Sequence, residues 1–353
     1  MRHKAPVKIF HYEFSWFQGW NDVSFHGSDQ IATPNIDALA YSGVILNQHY
    51  GEALCSPSRG ALLTGKYPIH TGLQHNLIME PEPWGLPLSE IIMPQYFKKL
   101  GYKTHAIGKW HLGFDTHFGF WNGFQDYYTH HVMLILFHVC YQQFAPYEGY
   151  DLRRNMEVVR MVGNYSTALF TDEAQRLIER HDKSKPFFLY LSHAAVHSGN
   201  YENPLQAPQE YIARFKHIKD PNRRIYAAMV SHLDDSVGRV VEALKENDML
   251  QDSIVVLLSD NGAPSTGLHV NHGNNWPLKG VRSLSKLLFH VSLCRTLVMS
   301  GVSPFPSEPD SPCDAMPSGA HVAMDIRPFV TRTTIYQQSH LQWRCCICEE
   351  FEI

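Results

Sequence analysis

Cysteine, proline and arginine lie close together in the segment CSPSRGALLTG, which begins at Cys55. As a thiolate beside Arg59, the cysteine could act as a nucleophile. As a metal ligand it would favour soft metals. No second cysteine lies nearby in the sequence, which argues against a local disulfide. The segment therefore carries a reactive group whose chemistry depends on what surrounds it in the fold.

Three further segments place polar side chains directly after apolar runs that are typical of buried strands. The runs are YKTHAI, FFLYL and SIVVLL, and the polar residues that follow them are Lys109 and His111, His193 and His197, and Asp260 and Asn261. Ligands of doubly wound α/β sheets bind at the carboxyl ends of the strands. Together with the Cys55 segment, which follows the apolar run of GVILNQHY, these exits predict one shared site.

The residue types at this predicted site favour hydrolysis of an anionic ester. Asp260 and Asn261 offer oxygen ligands, which suit a hard cation such as calcium or magnesium. Three cationic side chains could neutralise an anionic group: Arg59, Lys109 and Arg282. Either His111 or His197 could transfer a proton. This combination indicates a phosphatase or a sulfatase.

The elements that position these residues predict an α/β fold. An amphipathic helix followed by a turn and a strand occurs in residues 94–111, 166–199 and 223–262, and residues 43–50 (GVILNQHY) are predicted to form a buried strand. His232 lies on the apolar face of its predicted helix, so we expect it to be packed in the core. Asp37 is expected in the first turn of another helix.

Composition excludes several other classes of protein. The chain has 353 residues, of which 44% are hydrophobic and 18% charged, as in globular proteins, and its net charge of −4 gives no basic surface for nucleic acid. No run of about 18 apolar residues predicts a transmembrane helix, and no signal peptide is visible. The seven cysteines are unevenly placed and do not indicate a disulfide framework. The three clustered near the carboxyl terminus are a weak zinc signal.

The segment at Cys55 resembles the sulfatase signature C-x-P-S-R-x-x-L-L-T-G. The resemblance continues in order through GYKTHAIGKWHLG, KPFFLYLSHAAVHSG, VVLLSDNGAP and NNWPLKGVR, and it covers residues 19–282. Within the family, the chain looks most similar to the arylsulfatase B (N-acetylgalactosamine-4-sulfatase) group. The resemblance implies an alkaline-phosphatase-like fold with a mixed, mostly parallel sheet flanked by helices. It also implies hydrolysis of sulfate esters of sugars such as glycosaminoglycans, and the intact C-x-P-x-R argues against a phosphatase on the same fold.

The resemblance also implies a role for each site residue. Cys55 would be oxidised to formylglycine by the formylglycine-generating enzyme of the endoplasmic reticulum, and one hydroxyl of the hydrated aldehyde would attack sulfur. The other implied roles are Arg59 as stabiliser of that group, Lys109, His111 and Arg282 as sulfate ligands, His197 as proton donor to the leaving oxygen, and Asp260 and Asn261, with residue 55, as calcium ligands. A lysosomal or secreted location and glycosylation of the sequon at Asn164 would follow.

The amino-terminal part departs from the family pattern. Two aspartates should end the first strand of the sheet, but Trp16 and Phe17 occupy their positions in SWFQGWNDV. The calcium site is therefore expected to be incomplete. Asp22 and Asp37 are the nearby acidic candidates for replacing the missing ligands, although the motif assigns them no such role. A catalytically impaired sulfatase fold that only binds a ligand or partner is the alternative prediction.

Other departures predict three regions along the chain. Residues 1–18 form an atypical amino-terminal segment, residues 19–282 a partial catalytic domain with deletions near 113–150, and residues 283–353 a divergent and poorly ordered tail. The family's smaller carboxyl-terminal subdomain is expected to be absent, and the sheet incomplete. These features suggest an incomplete or mis-spliced product. The missing strand motif predicts that part of the central sheet is exposed.

Overall fold

The structure is a computed structural model that describes residues 8–14, 18–74, 77–78, 85–109, 114–138, 143–264, 269–278, 298–300, 336–337 and 341–342. The strands are β1 (Lys8–Phe14), β2 (Val44–Ile45), β3 (Lys103–Lys109), β4 (Thr116–Phe120), β5 (His131–His138), β6 (Gln143–Tyr150), β7 (Arg153–Arg154), β8 (Glu157–Val158), β9 (Phe187–Ser192), β10 (Ser253–Ser259), β11 (Val298–Ser300), β12 (Tyr336–Gln337) and β13 (Leu341–Gln342). The helices are α1 (Pro34–Tyr41), α2 (Cys55–Thr64), α3 (Met93–Lys99), α4 (Ser166–Arg180), α5 (Gln209–Ile212) and α6 (Pro221–Glu246).

Nine of the strands form one mixed sheet in the order β2-β11-β10-β1-β9-β3-β4-β7-β8. The five strands from β10 to β4 are parallel, whereas β11, β2, β7 and β8 pair antiparallel at the two edges. Strands β5 and β6 form a separate antiparallel hairpin. The predicted mixed, mostly parallel sheet is therefore confirmed.

Helices cover both faces of the sheet, as the alternation of side chains along β9 shows. Phe187, Leu189 and Leu191 point into the large core that also contains the apolar faces of α4 and α6. Phe188 and Tyr190 point to the opposite face, where they pack in a smaller cluster with residues of α3 and β3. Because successive side chains of a strand alternate between faces, a strand with six buried residues needs a layer on each side.

The carboxyl ends of the central strands meet at one edge of the sheet. Ser192 at the end of β9 is paired with Gly108 of β3 and with Glu13 of β1, and Ser259 at the end of β10 is paired with Phe14 of β1. Gly108 has φ of +89°, and a Cβ atom there would lie 1.8 Å from the Ser192 carbonyl oxygen. Only glycine permits this close approach of β3 to β9.

The three predicted helix–strand repeats are confirmed as α3–β3, α4–β9 and α6–β10. His232 is buried in α6 against the rings of Tyr165 and Tyr211, as expected for a packed helix residue. Burial lowers the pKa of its imidazole from 6.5 to about 4. Asp37 lies in the first turn of α1, which is also confirmed.

The prediction of a buried strand over residues 43–50 is wrong. Only Val44 and Ile45 are in strand conformation, and both are half-buried. This short strand, β2, lies at the outer edge of the sheet and pairs with β11 alone. An apolar run of two or three residues suits such an edge position, and the polar residues after it continue as irregular chain.

The amino-terminal residues contribute more to the fold than the sequence indicates. Strand β1 lies inside the segment expected to be atypical, yet it occupies the centre of the sheet between β10 and β9. The expected exposure of the central sheet is therefore not found at this position. Strand β11 lies beyond residue 283 and joins β10 to β2, which the sequence did not predict. None of the helices in the described part of the chain is long and apolar enough to cross a membrane.

Candidate active site

Cys55 is the first residue of α2, and its side chain is completely buried. The Cys55 Sγ atom lies 3.4 Å from Oδ1 of Asn261, which follows β10. Pro57 is compatible with the first turn of α2, since the backbone N–H groups there have no partner within the helix. The helix therefore directs residue 55 at the carboxyl edge of the sheet, as the sequence predicted.

Arg59 joins the ends of two strands from its position one turn further along α2. Its Nε atom lies 3.2 Å from Oδ2 of Asp260, and its Nη1 atom donates to the Ser192 hydroxyl at 2.7 Å and to Tyr190 at 3.3 Å. Ser58 adds a hydrogen bond of 2.6 Å to the Asp260 carbonyl oxygen. Arg59 and Asp260 are both buried, so their charges compensate each other away from water.

Lys109 is buried at the end of β3, where the resemblance places a sulfate ligand. Its Nζ atom donates to the Gly123 carbonyl oxygen at 2.8 Å. Gly123 borders a small cleft together with Phe124, His197 and Ser198. Lys109 is thus bonded to a residue that lies beside His197, the histidine that follows β9. His111 and Arg282, the other predicted sulfate ligands, lie outside the described residues.

His197 is held in one tautomer by its backbone neighbour. Its Nδ1 atom is hydrogen-bonded to the Ser198 carbonyl oxygen, which can only accept, so Nδ1 carries a proton in the neutral ring. A proton is therefore gained and lost at Nε2. The Tyr127 hydroxyl stabilises the turn that carries His197. It lies 2.8 Å from the His197 carbonyl oxygen and 2.9 Å from the Ala194 carbonyl oxygen.

His193 does not join these residues, although it follows the same strand. Its Nε2 atom lies 3.0 Å from the Ser236 hydroxyl of α6, and the ring is completely buried. Burial, with a smaller effect of the nearby His232, lowers its pKa from 6.5 to about 3. His193 therefore packs against α6 in the core instead of joining the residues at this edge of the sheet, where the sequence had placed both histidines.

Asp22 is committed to a buried cluster, hereafter the Asp22 cluster, formed with Gly19, Arg223, Tyr226 and Asn274. Its Oδ2 atom accepts hydrogen bonds from the Gly19 and Asn274 backbone N–H groups and from the Tyr226 hydroxyl, at 2.7 to 2.9 Å. Its Oδ1 atom pairs with Arg223 at 2.6 Å. Burial raises the pKa of this carboxyl above its ordinary value, against the opposing effect of Arg223.

Asp37 is committed in the same way at the start of α1. Its Oδ1 atom accepts from the Phe25 backbone N–H and from the Thr33 hydroxyl, and its Oδ2 atom accepts from the Ser24 hydroxyl at 2.7 Å. These bonds tie the loop before α1 to the helix. Neither Asp22 nor Asp37 therefore replaces the aspartates that the family has at the end of its first strand.

The residues present do not fit a firmly held calcium ion. Asp260 and Asn261 offer one carboxylate and one amide oxygen, and the carboxylate is already paired with Arg59. Calcium takes six to eight oxygen ligands. Across the described residues, no group of three or more His, Cys, Asp or Glu could hold a metal ion. Trp16 and Phe17, at the positions where the resemblance implies two aspartates, lie outside the described residues, and neither residue type has a side-chain oxygen.

The sequence reasoning missed a segment that borders the site, residues 269–275. Asn271 is buried and donates to the Val196 carbonyl oxygen at 3.0 Å, directly before His197. Asn275 exchanges two hydrogen bonds with the backbone of Ala263, just after Asn261. The only signal was the motif NNWPLKGVR, which matched the family but suggested no role for the asparagines.

Asn164 lies on the surface directly before α4, where its side chain donates to the Met161 carbonyl oxygen at 3.1 Å. The sequon Asn-Tyr-Ser is therefore accessible at the asparagine. Glycosylation there remains a prediction that depends on entry into the secretory pathway.

Comparison with known proteins gives consistent matches. Residues 17–283 match the family described as Sulfatase. Arylsulfatase J of Mus musculus is 43% identical over 279 residues, which cover 74% of this chain and 43% of that protein. N-acetylgalactosamine-6-sulfatase of Homo sapiens is 31% identical over 285 residues, covering 73% and 51%. The chain thus spans about half the length of the curated relatives it matches.

Solved structures agree with this assignment. The crystal structure of Ps i-CgsB in complex with k-i-k-neocarrahexaose superposes with a TM-score of 0.72 at 31% identity, covering 86% of this chain and 67% of that one. The crystal structure of the PsFucS1 sulfatase from Pseudoalteromonas sp. has a TM-score of 0.62 at 24% identity, covering 84% and 62%, and supports the fold. The predicted alkaline-phosphatase-like fold is confirmed, while the arylsulfatase B group is not singled out. The match over residues 17–283 shows that this chain belongs to the sulfatase family.

Proposed function

We propose that this chain is a sulfuric ester hydrolase that acts through a formylglycine derived from Cys55. One observation carries the proposal. Two segments about two hundred residues apart in sequence meet in a buried cluster, where Cys55 faces Asn261 and Arg59 pairs with Asp260. A cysteine, a guanidinium and two oxygen donors at the carboxyl edge of a parallel sheet suit attack on an anionic ester.

Conversion of Cys55 to formylglycine must take place before the chain has folded. Formylglycine, once formed and hydrated, supplies a hydroxyl that attacks sulfur. Cys55 is completely buried at the start of α2, so a modifying enzyme must reach it before the fold closes. Arg59 lies on the same helix and supplies positive charge next to that position. The formylglycine-generating enzyme is therefore the partner that we propose for the unfolded chain.

The remaining residues of the chain would bind the sulfate and move one proton. Lys109, with His111 and Arg282, is proposed to neutralise the sulfate oxygens. His197 is proposed to protonate the leaving oxygen through Nε2, since Nδ1 is occupied by the Ser198 carbonyl oxygen. The Tyr127 hydroxyl, by holding the turn that carries His197, fixes the position from which the proton is delivered.

We propose no step that involves calcium, because the donor set of the described residues does not fit it. Arg59 provides the positive charge beside Asp260. The substrate class proposed is a sulfated sugar, as the names of the relatives suggest. N-acetylgalactosamine-6-sulfatase acts on a galactosamine sulfate by its name, and arylsulfatase J is an aryl sulfatase by its own. Membership of the arylsulfatase B group, a lysosomal or secreted location and glycosylation of Asn164 are proposals on the same basis.

A catalytically impaired sulfatase fold is the second candidate. The observation that favours it is the pair Trp16 and Phe17 in place of two acidic metal ligands. Such a protein would keep Lys109 and His197 and bind a sulfated ligand without turnover. Binding without hydrolysis would distinguish it from the first candidate.

Mass spectrometry combined with turnover tests the proposal. The chain is produced in a eukaryotic secretory system together with the formylglycine-generating enzyme, and the tryptic peptide of residues 9–59 is examined for conversion of Cys55. Conversion with turnover of 4-nitrocatechol sulfate is the expected result, and the Cys55→Ala variant should be inactive. Conversion without turnover would support the impaired fold, and an unmodified cysteine would rule out the proposed nucleophile.

A further inference from the structure

A second histidine, His269, contacts His197 at the candidate active site. The centroids of the two imidazole rings lie 5.1 Å apart. Phe124 completes a triangle, since its ring lies parallel to that of His197 at 5.9 Å and meets His269 edge-on at 5.2 Å. The ring of His197 is therefore packed against two other rings, of which one is polar and half-buried.

Ser198 links both histidines through different atoms. Its carbonyl oxygen accepts from Nδ1 of His197, and its hydroxyl lies 3.1 Å from Nδ1 of His269. Rotation of either ring would break a hydrogen bond to the same residue. The two imidazoles and Ser198 thus form one connected unit beside the cleft.

The position of His269 is itself determined by buried anchors. Two residues further on, Asn271 donates to the Val196 carbonyl oxygen at 3.0 Å, in the turn that carries His197. The Asn274 backbone N–H donates to Asp22 at 2.9 Å, and its carbonyl oxygen accepts from the Asn21 N–H at the same distance. The segment is therefore attached both to the exit of β9 and to the Asp22 cluster.

We propose that His269 is a positioning residue for His197, and this proposal rests on the proposed sulfatase function. His269 and Phe124 confine the His197 ring from two directions, so that Nε2 keeps the direction needed to protonate the leaving oxygen. A proton donor must lie within hydrogen-bond reach of the atom that it protonates. Removing the His269 ring would let the His197 ring turn away while leaving the nucleophile at position 55 unaffected.

The test compares two substrates that differ in their need for a proton. An aryl sulfate such as 4-nitrophenyl sulfate releases a stable phenolate, whereas a monosaccharide sulfate releases a strongly basic alkoxide unless it is protonated. In the His269→Ala variant, we expect kcat for the sugar sulfate to fall about tenfold or more. This is less than the full rate contribution of a proton donor, because His197 itself is still present. The value for 4-nitrophenyl sulfate should stay within about twofold of the parent, since that step needs little protonation.

Comparison of two His269 variants with one control shows whether the loss of kcat comes from the missing ring. His269→Phe keeps a ring beside His197 but loses the bond to Ser198, so it should recover part of the kcat for the sugar sulfate. His70 is exposed at the end of a short helical turn, and His70→Ala should change neither rate. Equal losses on both substrates in His269→Ala would indicate a general structural role and overturn the proposal, as would no loss on either.

A spectroscopic measurement keeps the inference testable if the chain turns over no substrate. In protein labelled with ¹⁵N-histidine, the His197 signal, identified by its absence in His197→Gln, should show a single Nδ1–H tautomer. In His269→Ala we expect the signal to report a mixture of tautomers. Lack of turnover in the parent would then contradict the proposed function alone, whereas an unchanged His197 signal in His269→Ala would contradict the positioning role.

Discussion

The two halves of the candidate site differ in how completely their partners are present. In the half proposed for the nucleophile, hereafter the nucleophile half, Cys55 and Arg59 lie on one helix, and their side chains contact Asn261, Asp260 and Ser192. In the half proposed for the metal, hereafter the metal half, Asp260 and Asn261 follow β10, but Trp16 and Phe17 follow the neighbouring strand β1, where the resemblance implies two aspartates.

Ion pairing accounts for how the buried charges of the nucleophile half are compensated. The buried carboxylate of Asp260 has Arg59 as its counter-ion. Asp22 is the first acidic residue of the described segment that follows β1. Its carboxylate is paired separately with Arg223. The two buried acids therefore belong to different ion pairs.

The largest effect is expected from breaking the nucleophile half at Arg59. Arg59→Met keeps most of the volume but leaves Asp260 buried without its counter-ion. We expect the free energy of unfolding to fall by about 3–5 kcal/mol, measured by denaturant titration. Turnover of an aryl sulfate should fall about 10²- to 10³-fold. Arg59→Lys restores the charge but not the fork of donors to Asp260, Tyr190 and Ser192, so it should recover stability more than activity.

A smaller loss is expected from breaking the Asp22 cluster. Asp22→Asn keeps the shape but removes the charge that compensates Arg223, and we expect a loss of about 3 kcal/mol in the free energy of unfolding. Hydrogen exchange at the Asn274 N–H should become faster, because this group donates to Asp22. The double variant Asp22→Asn/Arg223→Gln should lose less than the sum of the single changes. Additive losses would show that the two side chains act independently.

The metal half can be restored rather than broken. We expect titration calorimetry to detect weak calcium binding or none in the parent chain, since one carboxylate and one amide are too few ligands. The Trp16→Asp/Phe17→Asp variant returns two carboxylates to the exit of β1 and should bind calcium at least about tenfold more tightly. A variant with two aspartates at exposed positions, Tyr41→Asp/Ile69→Asp, serves as the charge-matched control. Tight calcium binding by the parent would contradict the division into two halves.

The smallest effect at neutral pH concerns the scaffold that both halves share. Burial lowers the pKa of His232 from 6.5 to about 4. Between these two pH values the imidazole is neutral in the folded chain and protonated in the unfolded chain. Stability from this group is fully present above pH 6.5 and is lost as the pH falls towards 4, by at most about 1.4 kcal/mol per pH unit. His232→Phe should reduce the slope of unfolding free energy against pH in this window. His70→Phe, at an exposed position, should leave it unchanged.

Local sequence patterns predicted the helices and strands that are buried and long. The repeats α3–β3, α4–β9 and α6–β10 were predicted because each joins an amphipathic helix to an apolar run through a turn signal. The strand over residues 43–50 was overestimated, since an apolar run does not reveal whether the strand is central or at an edge. Strand β1 was underestimated because its sequence, KIFHYEF, mixes polar and apolar residues, although its pairing with β9 and β10 places it in the centre of the sheet.

The sequence by itself determined which side chains are available: the Cys55 motif, the cations and histidines after the apolar runs, and Trp16 and Phe17 where the resemblance implies two aspartates. Chemical identity is a property of each residue, so these statements needed no coordinates. Only the tertiary structure decided which groups meet. His197 lies beside Phe124 and His269 while His193 packs against α6, and Asp22 is enclosed with Arg223 instead of reaching Asp260. These outcomes depend on strand register and on contacts between distant segments, which a linear pattern does not contain.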